Sequence, residues 1–564
     1  MSMLARKYFQ DRRSRLESVR QSWESRLREL CQYILPEYDR FFTDGRENKD
    51  DANWDGIINP RATLASEILA AGLFTGITNP TRQWFRLSHP DRKLADSPAV
   101  KRWLEECTKL MLGAFGRSNL YNTLPQVYQE MAVFGTSCLF CGNDKKDVLR
   151  FWNISPGEYF IDMDERGVCN TLYRDISLTV GQVVAMFGLE NCSQTVKDLW
   201  AKPNYNEIVR VTQAIEPNRI PLDGVQNKLP KGCPFIEVYF ERAAKPTDET
   251  GLLKVKHYYE FPAFAPRWHV VSTNIYGVGR GHKALGDIKE LQHEMRVHAR
   301  ALEKMVDPPI KAPSGTDDID LEPGGKTLYD ASAGPQAFSS VYNINLDLDR
   351  LSNHINELEQ SIDRTFYADA FQMMALMEGR AQITAREIDE RREEKLLRLG
   401  SVLLRLNDEL LDPLVIRAFE VMMREGILPE APDAIRQQGQ SLRIEYDSVL
   451  SQVQKAQGVA STERFLGTVG NISAMQGGNP AAWDMVDVDE VIRDYGESVG
   501  VSGRYIRKKS DIEASRKQRQ ALQEAQQASA ISGEAAKTAR DLAASPTDSE
   551  NALTGVLAGM RAGV

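Results

Sequence analysis

The residues of this chain whose types and spacing could support chemistry fall into a few clusters, and each can be held against what its chemistry needs. Gly325-Lys326-Thr327 has the ending of a phosphate-cradling loop, but that loop needs a glycine five positions before Gly325, where Asp320 stands. A hairpin turn fits these residues better. Gly277, Gly279 and Gly281 give G-x-G-x-G without the third glycine at dinucleotide spacing or a preceding strand within a βαβ unit, so a hinge ahead of the following helix is the expectation. His293, Glu294 and His298 resemble a zinc-protease helix, yet a five-residue step sets the two histidines about 140° apart on a helix rather than on one face. Cys138 and Cys141 form a CxxC pair with no second pair or nearby histidines to complete a zinc site. The seven cysteines, an odd number without framework spacing, read as reduced thiols. No G-x-S-x-G elbow occurs, and the 79 Asp and Glu residues offer no pair assignable to acid and base roles. The expectation is a protein with no catalytic residues, no metal and no cofactor, that is, not an enzyme.

One constellation is more informative. Lys289, His293, Arg296, Arg300 and Lys304 recur at steps of four, three, four and four, which puts them on one helix face. The plain reading is a solvated surface. The sharper reading needs several copies standing side by side, so that the basic stripe meets acidic positions such as Glu357, Glu359 and Asp363 on the next long helix, or faces phosphates in a channel.

The elements that must carry these residues are legible from periodicity. Leu16, Val19, Trp23, Leu27, Leu30 and Ile34 mark one face of a helix that Pro36 ends. A second helix is expected from Pro60 to about Ile77, with Leu64, Ile68, Ala71 and Leu73 inward, followed by an extended segment at Gln83 to Leu87. Between Phe134 and about Ile275, the runs Leu149 to Ile154, Glu207 to Ile215, Phe235 to Arg242 and Lys254 to Phe261 read as strands of a mixed domain. Lys283 to Val306 carries the apolar stripe Leu285, Ile288, Leu291, Met295, Leu302 and Met305, and Asp307-Pro308-Pro309 stops it. A Pro-, Gly-, Asp- and Ser-rich insert follows, and helical spacing resumes at Leu351, Ile355, Leu358, Ile362 and Phe366. Thr384 and Glu387 have capping-box spacing for a long helix, with a kink expected at Pro413. Leu442 to Tyr446 reads as a short strand. A mainly helical stretch to about Tyr505 follows, then a tail from Ser510, rich in Ala, Gln and Ser, that reads as marginal helix or disorder.

The 564 residues allow a large core divided into several domains. A net charge of -9 argues against tight static binding to nucleic acid, whereas a conduit for DNA is compatible with an acidic or mixed lumen. Met1 to Arg15 lacks the apolar block of an export signal, and Leu64 to Ile77 is too short and too interrupted to span a membrane, so neither is expected.

Four stretches in order carry a resemblance. RATLASEILAAGLFTGITNPTRQWFRL (Arg61 to Leu87), MAVFGTSCLF (Met131 to Phe140), YGVGRGHKALGDIKELQ (Tyr276 to Gln292) and ITAREIDERREEKLLRLGSVLLRLNDELLDPL (Ile383 to Leu414) together resemble the head-to-tail connecting, or portal, proteins of short-tailed bacteriophages. The resemblance implies an α+β, mainly helical fold assembled as a ring, normally a dodecamer, at one capsid vertex of the virion. Laid over this chain, it implies an N-terminal α/β wing at 1–282, stem helices at 283–306 and 347–372, and a turn-rich clip at 307–346. A channel loop at 373–383 with Met377, Glu378, Arg380 and Gln382, a kinked wing helix and closing strand at 384–450, a helical crown at 451–509 and a flexible tail at 510–564 complete it. The implied role is a conduit for packaging and ejecting double-stranded DNA. The implied partners are other copies of the chain, the terminase large subunit, tail adaptor or nozzle proteins, major capsid and scaffold or internal head proteins, and the passing DNA. The rival readings are another virion part, adaptor or scaffold, and a metal-dependent nuclease with a dispersed site.

Overall fold

The structure, a computed structural model, describes residues 2–42, 54–91, 97–218, 233–242, 252–306, 310–311, 339–340, 348–371, 399–438, 442–446, 464–473, 486–499 and 514–526, with a few single positions between them. Gly325-Lys326-Thr327, nearly all of the expected clip, the channel-loop positions Met377, Glu378, Arg380 and Gln382, and the start of the helix from Thr384 lie outside these residues.

Two units divide the chain, Met1–Gln454 and Lys455–Val564. The first opens with helices α1 (Ser2–Tyr33) and α2 (Arg61–Ile77), strand β1 (Phe85–Ser88), and helices α3 (Pro98–Arg117) and α4 (Leu120–Phe134). Strands β2 (Cys138–Asp144), β3 (Val148–Ile154), β4 (Tyr159–Met163) and β5 (Cys169–Thr179) follow, then helices α5 (Val180–Phe187) and α6 (Gln194–Ala201). Next come β6 (Ile208–Pro217), β7 (Phe235–Glu241), β8 (Lys254–Tyr258), β9 (Ala263–Phe264) and the long helix α7 (Arg280–Val306). The short pair β10 (Ile310–Lys311) and β11 (Ser339–Ser340) precedes helix α8 (Leu348–Thr365). The unit closes with α9 (Gly400–Leu406), a π-turn at Asn407–Leu411, α10 (Asp412–Arg424), α11 (Asp433–Gln438) and strand β12 (Arg443–Tyr446). In the second unit, α12 (Val488–Val499) and the segments 464–473 and 514–526 are helical, and Arg516 forms a two-pronged ion pair with Asp489 at 2.6 Å. The architecture is thus mixed helix and sheet.

Strands β4 to β8 form a five-stranded antiparallel meander in sequence order. Helix α1 covers it, and arginine and apolar residues alternate along the covered face. Arg6, Arg13 and Arg20, seven residues apart, are buried beside Phe9 and Leu16, which join Phe160, Tyr173, Val238 and Phe240 in one cluster. Seven residues are two helical turns, so the three arginines share one stripe. Arg13 meets Asp175 on β5, Arg20 donates to the carbonyls of Gly157 and Tyr159 and lies over the Phe160 ring, and Arg6 donates to the Glu241 carbonyl. Burial alone would push the Asp175 carboxyl up, but Arg13 and the Thr212 hydroxyl outweigh it and hold it below the usual range.

The main core gathers α2, α3, α4, α7 and α10 around Trp84, Phe115, Tyr128 and Phe419. Helix α2 turns a different face inward from the one its large residues suggest. Ala62, Ala65, Ser66, Leu69, Ala70, Leu73 and Ile77 are buried, while Leu64 is 47% exposed and Ala71 also faces out. Small side chains let α2 and α4 approach closely, and that contact outweighs the burial of one leucine. The run Tyr276 to Gly281 packs closely against the end of α4. A Cβ on Gly135, at φ +84, would sit 2.3 Å from the Gly277 carbonyl oxygen, and one on Gly279 would sit 2.5 Å from the Ala132 carbonyl oxygen. These glycines let two backbones pack against each other. Cys138 and Cys141 are three residues apart on β2, point to opposite faces of the strand and fall in different apolar clusters. Strand β1 pairs antiparallel with β12, Phe85 opposite Tyr446 and Ser88 opposite Arg443, which ties the end of the unit to its beginning.

Candidate functional site

Helices α7 and α8 are antiparallel neighbours. The Ser361 hydroxyl donates to Asp287 at 2.6 Å, and His354 lies 3.3 Å from Glu290 one step further from the core. Their apolar seam is made of Ala284, Leu285, Ile288 and Leu291 against Ile355, Leu358, Ile362 and Phe366, all buried in the main core. Burying one such leucine or isoleucine contributes about 2 kcal/mol, so the near half of the pair is firmly seated.

The sequence-selected charges divide along this pair. Near the core they are engaged within the chain. Lys289 lies 3.2 Å from Glu29 and over the Tyr33 ring, Asp363 accepts a forked pair from Arg61 with its Nε at 2.8 Å, and Glu359 accepts from the Asn59 side-chain amide at 2.7 Å. Asp363 is buried but the Arg61 side chain is 32% exposed, so this pair is only partly shielded from water. Arg296 donates to the Gly56 carbonyl at 3.3 Å. Further out, Arg300 and Lys304 are exposed among Leu302, Met305 and Val306, which are exposed as well, so the apolar stripe of α7 does not stay buried to its end. Glu357 is exposed and only weakly approached by His354 at 3.9 Å. His293 is exposed and His298 half-buried, and among the described residues no group of three or more His, Cys, Asp or Glu side chains could hold a metal.

Residues that pattern-reading passed over do the anchoring. Gln292, 1% exposed, accepts from the Ile58 and Asn59 amides and donates to the Asn59 carbonyl, clamping α7 to the entrance of α2. A glutamine directly after Leu291 on a buried face was the available signal. Arg417 on α10, 1% exposed, donates to the Cys141 and Glu260 carbonyls and stacks over Tyr258, joining that helix to the sheets. Arg267 bonds Glu409 within the π-turn, with Nη2 at 2.6 Å and its backbone N–H at 2.8 Å. The expected disturbance near Pro413 thus takes the form of a widened turn just before it, which accommodates the missing proline N–H.

A family described as "Bacteriophage head to tail connecting protein" matches residues 6–506. The chain belongs to that family. This head-to-tail connector is 38% identical over 555 residues to the "Probable portal protein" of Bordetella phage BPP-1, covering 98% of each chain. It is 36% identical over 546 residues to the "Portal protein" of Salmonella phage epsilon15, covering 96% of each. A connector of this family is a structural part of the virion, with capsid and tail as its general partners.

Proposed function

We propose that this connector is a portal subunit that closes with copies of itself, normally twelve, into a ring at one capsid vertex. The ring admits double-stranded DNA during packaging and releases it at ejection, docking the terminase large subunit first and the tail adaptor afterwards. ATP hydrolysis belongs to the terminase. Major capsid and scaffold or internal head proteins surround the ring. The observation that carries this reading is end-to-end similarity, 98% of both chains, to a protein named as a portal.

On this reading α7 and α8 are the stem, 307–346 the clip and 373–383 the channel loop, with Met377, Glu378, Arg380 and Gln382 toward DNA. Residues 1–282 and 384–450 build the wing, 451–509 the crown and 510–564 a terminal tail. Lys289, Glu359 and Asp363 hold the stem to its own wing, which leaves Arg300, with Arg296 and Lys304 flanking, and Glu357 as exposed charges available to neighbouring subunits. Side-by-side contacts that close on themselves need two different faces per subunit, which an antiparallel helix pair supplies. Negative-stain imaging with mass from light scattering tests the proposal. Rings with a central hole near twelve 63.5 kDa chains, about 760 kDa, are expected. Monomers or dimers that stay so in the presence of scaffold protein would overturn it, and cleavage of DNA on incubation with magnesium would move the reading to a nuclease.

A further inference from the structure

The junction where α8 ends contains an arrangement that the helix spacing does not account for. Tyr367, two residues past the end of α8, has φ +57, the left-handed region that a residue with a Cβ avoids. Both sides of it are helical: α8 runs to Thr365, and 368–371 form another helical turn, with the Ala370 and Phe371 amides donating to the Tyr367 carbonyl at 3.1 and 3.3 Å. Two residues, Phe366 and Tyr367, therefore separate two helical stretches, with the left-handed angle at Tyr367 alone.

Against it lies Arg280, the first residue of α7. Its guanidinium lies 4.4 Å from the centre of the Tyr367 ring and 5.6 Å from that of Trp268, and it donates to the Tyr367 hydroxyl. Three costs attend this placement. The cation sits at the positive end of a helix dipole. Its Nε is buried without a hydrogen-bond partner. Among the described residues no carboxylate pairs with it, and burial pulls its pKa below the ordinary arginine value. A left-handed non-glycine residue and a buried arginine without an acid persist only where the surroundings over-determine them.

We propose that Arg280 and Tyr367 form a latch on a two-state helix end. Latched, Tyr367 stops α8 and turns the chain so that Phe371 packs against Gly72 of α2, where an added Cβ would meet its ring at 2.3 Å. Released, Tyr367 leaves its left-handed angles and the 368–371 turn frays, giving up the amide bonds to the Tyr367 carbonyl and withdrawing the Phe371 ring from α2. The burial of Phe366 and Phe371 keeps the latched state dominant. The energy held in Tyr367 and Arg280 lowers the barrier to the other. This inference stands whether or not the ring proposal does, because it concerns contacts within one chain.

Amide hydrogen exchange on the full-length protein tests it. Arg280→Met, which keeps the bulk and removes the charge, is expected to raise exchange of the Ala370 and Phe371 amides about tenfold while the Ile288 and Leu291 amides of α7 keep their protection. Adding Tyr367→Gly in that background is expected to restore protection, because glycine holds a positive φ without strain. A merely structural cation-on-ring contact would not be rescued by deleting the ring. Unchanged exchange in R280M, or no rescue by Y367G, overturns the latch. Should R280M fail to fold, Tyr367→Phe decides: faster exchange confined to 366–371 supports the latch, and wild-type exchange overturns it.

Discussion

Glu130 on α4 is fully buried, accepts from the Asn153 side-chain amide at 2.6 Å, and has the Tyr38 hydroxyl as a second hydrogen-bonding neighbour. Burial pushes its carboxyl from the ordinary 4.5 up to about 8, against the pull of those two hydrogen bonds. The sign of the consequence follows from proton binding. The folded state holds this proton more tightly than the unfolded state, so the neutral acid's contribution is complete below pH 4.5 and is lost as pH rises toward 8. Glu130→Gln removes the charge and keeps the shape. Its unfolding free energy is expected to match the wild type near pH 4.5 and to exceed it above pH 8, the gap growing by on the order of 4 kcal/mol. Denaturant titrations at pH 5, 7 and 9 check this, and parallel pH profiles for the two proteins would reject it. Nothing in the sequence marks Glu130 as special. It stands one residue before Met131 in an otherwise apolar run, and only the fold shows which side chains surround it. The charges on the long helices illustrate the same limit: spacing put Lys289 and Arg296 on one face, but whether each meets its own chain depends on where Glu29 and Gly56 come to rest.

At the scale of elements, strong periodicity was legible and mixed signals were not. Helices α1, α7 and α8 and strands β3, β6, β7 and β8 lie close to where alternation and three-four spacing put them. The pair α3 and α4 carries no such reading. In α4 Glu130 to Phe134 are buried consecutively, so no single face stands out, and Pro125 sits inside the helix. Strand β5 hides its inward side because Asp175, a charged residue, is one of the buried positions. The main partner of that carboxylate comes from α1, more than 140 residues earlier, whose arginine stripe looks like a solvated face in sequence. A test of α1 docking follows. Arg13→Ala leaves the buried Asp175 with only the more distant Arg242, at 3.9 Å, and is expected to cost about 3 kcal/mol in denaturant unfolding. The double variant Arg13→Met with Asp175→Asn removes both charges and is expected to lose less than R13A alone. If the double variant is the less stable of the two, the stripe holds α1 by some means other than pairing with Asp175.

For the whole molecule, the question is what one chain leaves unsatisfied that copies of it would complete. The inner half of α7 is closed by the chain's own residues, while its outer end presents Arg300 beside exposed Leu302, Met305 and Val306, and α8 presents Glu357. A single exposed ion pair contributes only about 0.5 kcal/mol. In a closed ring the same contact recurs at every interface, so a change too small to detect in one chain is multiplied by the number of subunits. On the proposed ring, Arg300→Glu would replace the exposed cation of α7 by an anion at every interface, and it is expected to leave the thermal unfolding of the isolated chain within about 0.5 kcal/mol of wild type. The yield of rings in sedimentation or negative-stain counts is expected to fall several-fold, most strongly at low salt, where screening is weakest. Glu357→Arg should do the same, and the double variant R300E/E357R should recover much of the yield by restoring opposite signs. Recovery would pair α7 of one subunit with α8 of the next. Loss in both single variants without recovery would place the two charges in separate contacts. Normal ring yield in R300E would mean that the outer end of α7 is not a subunit interface.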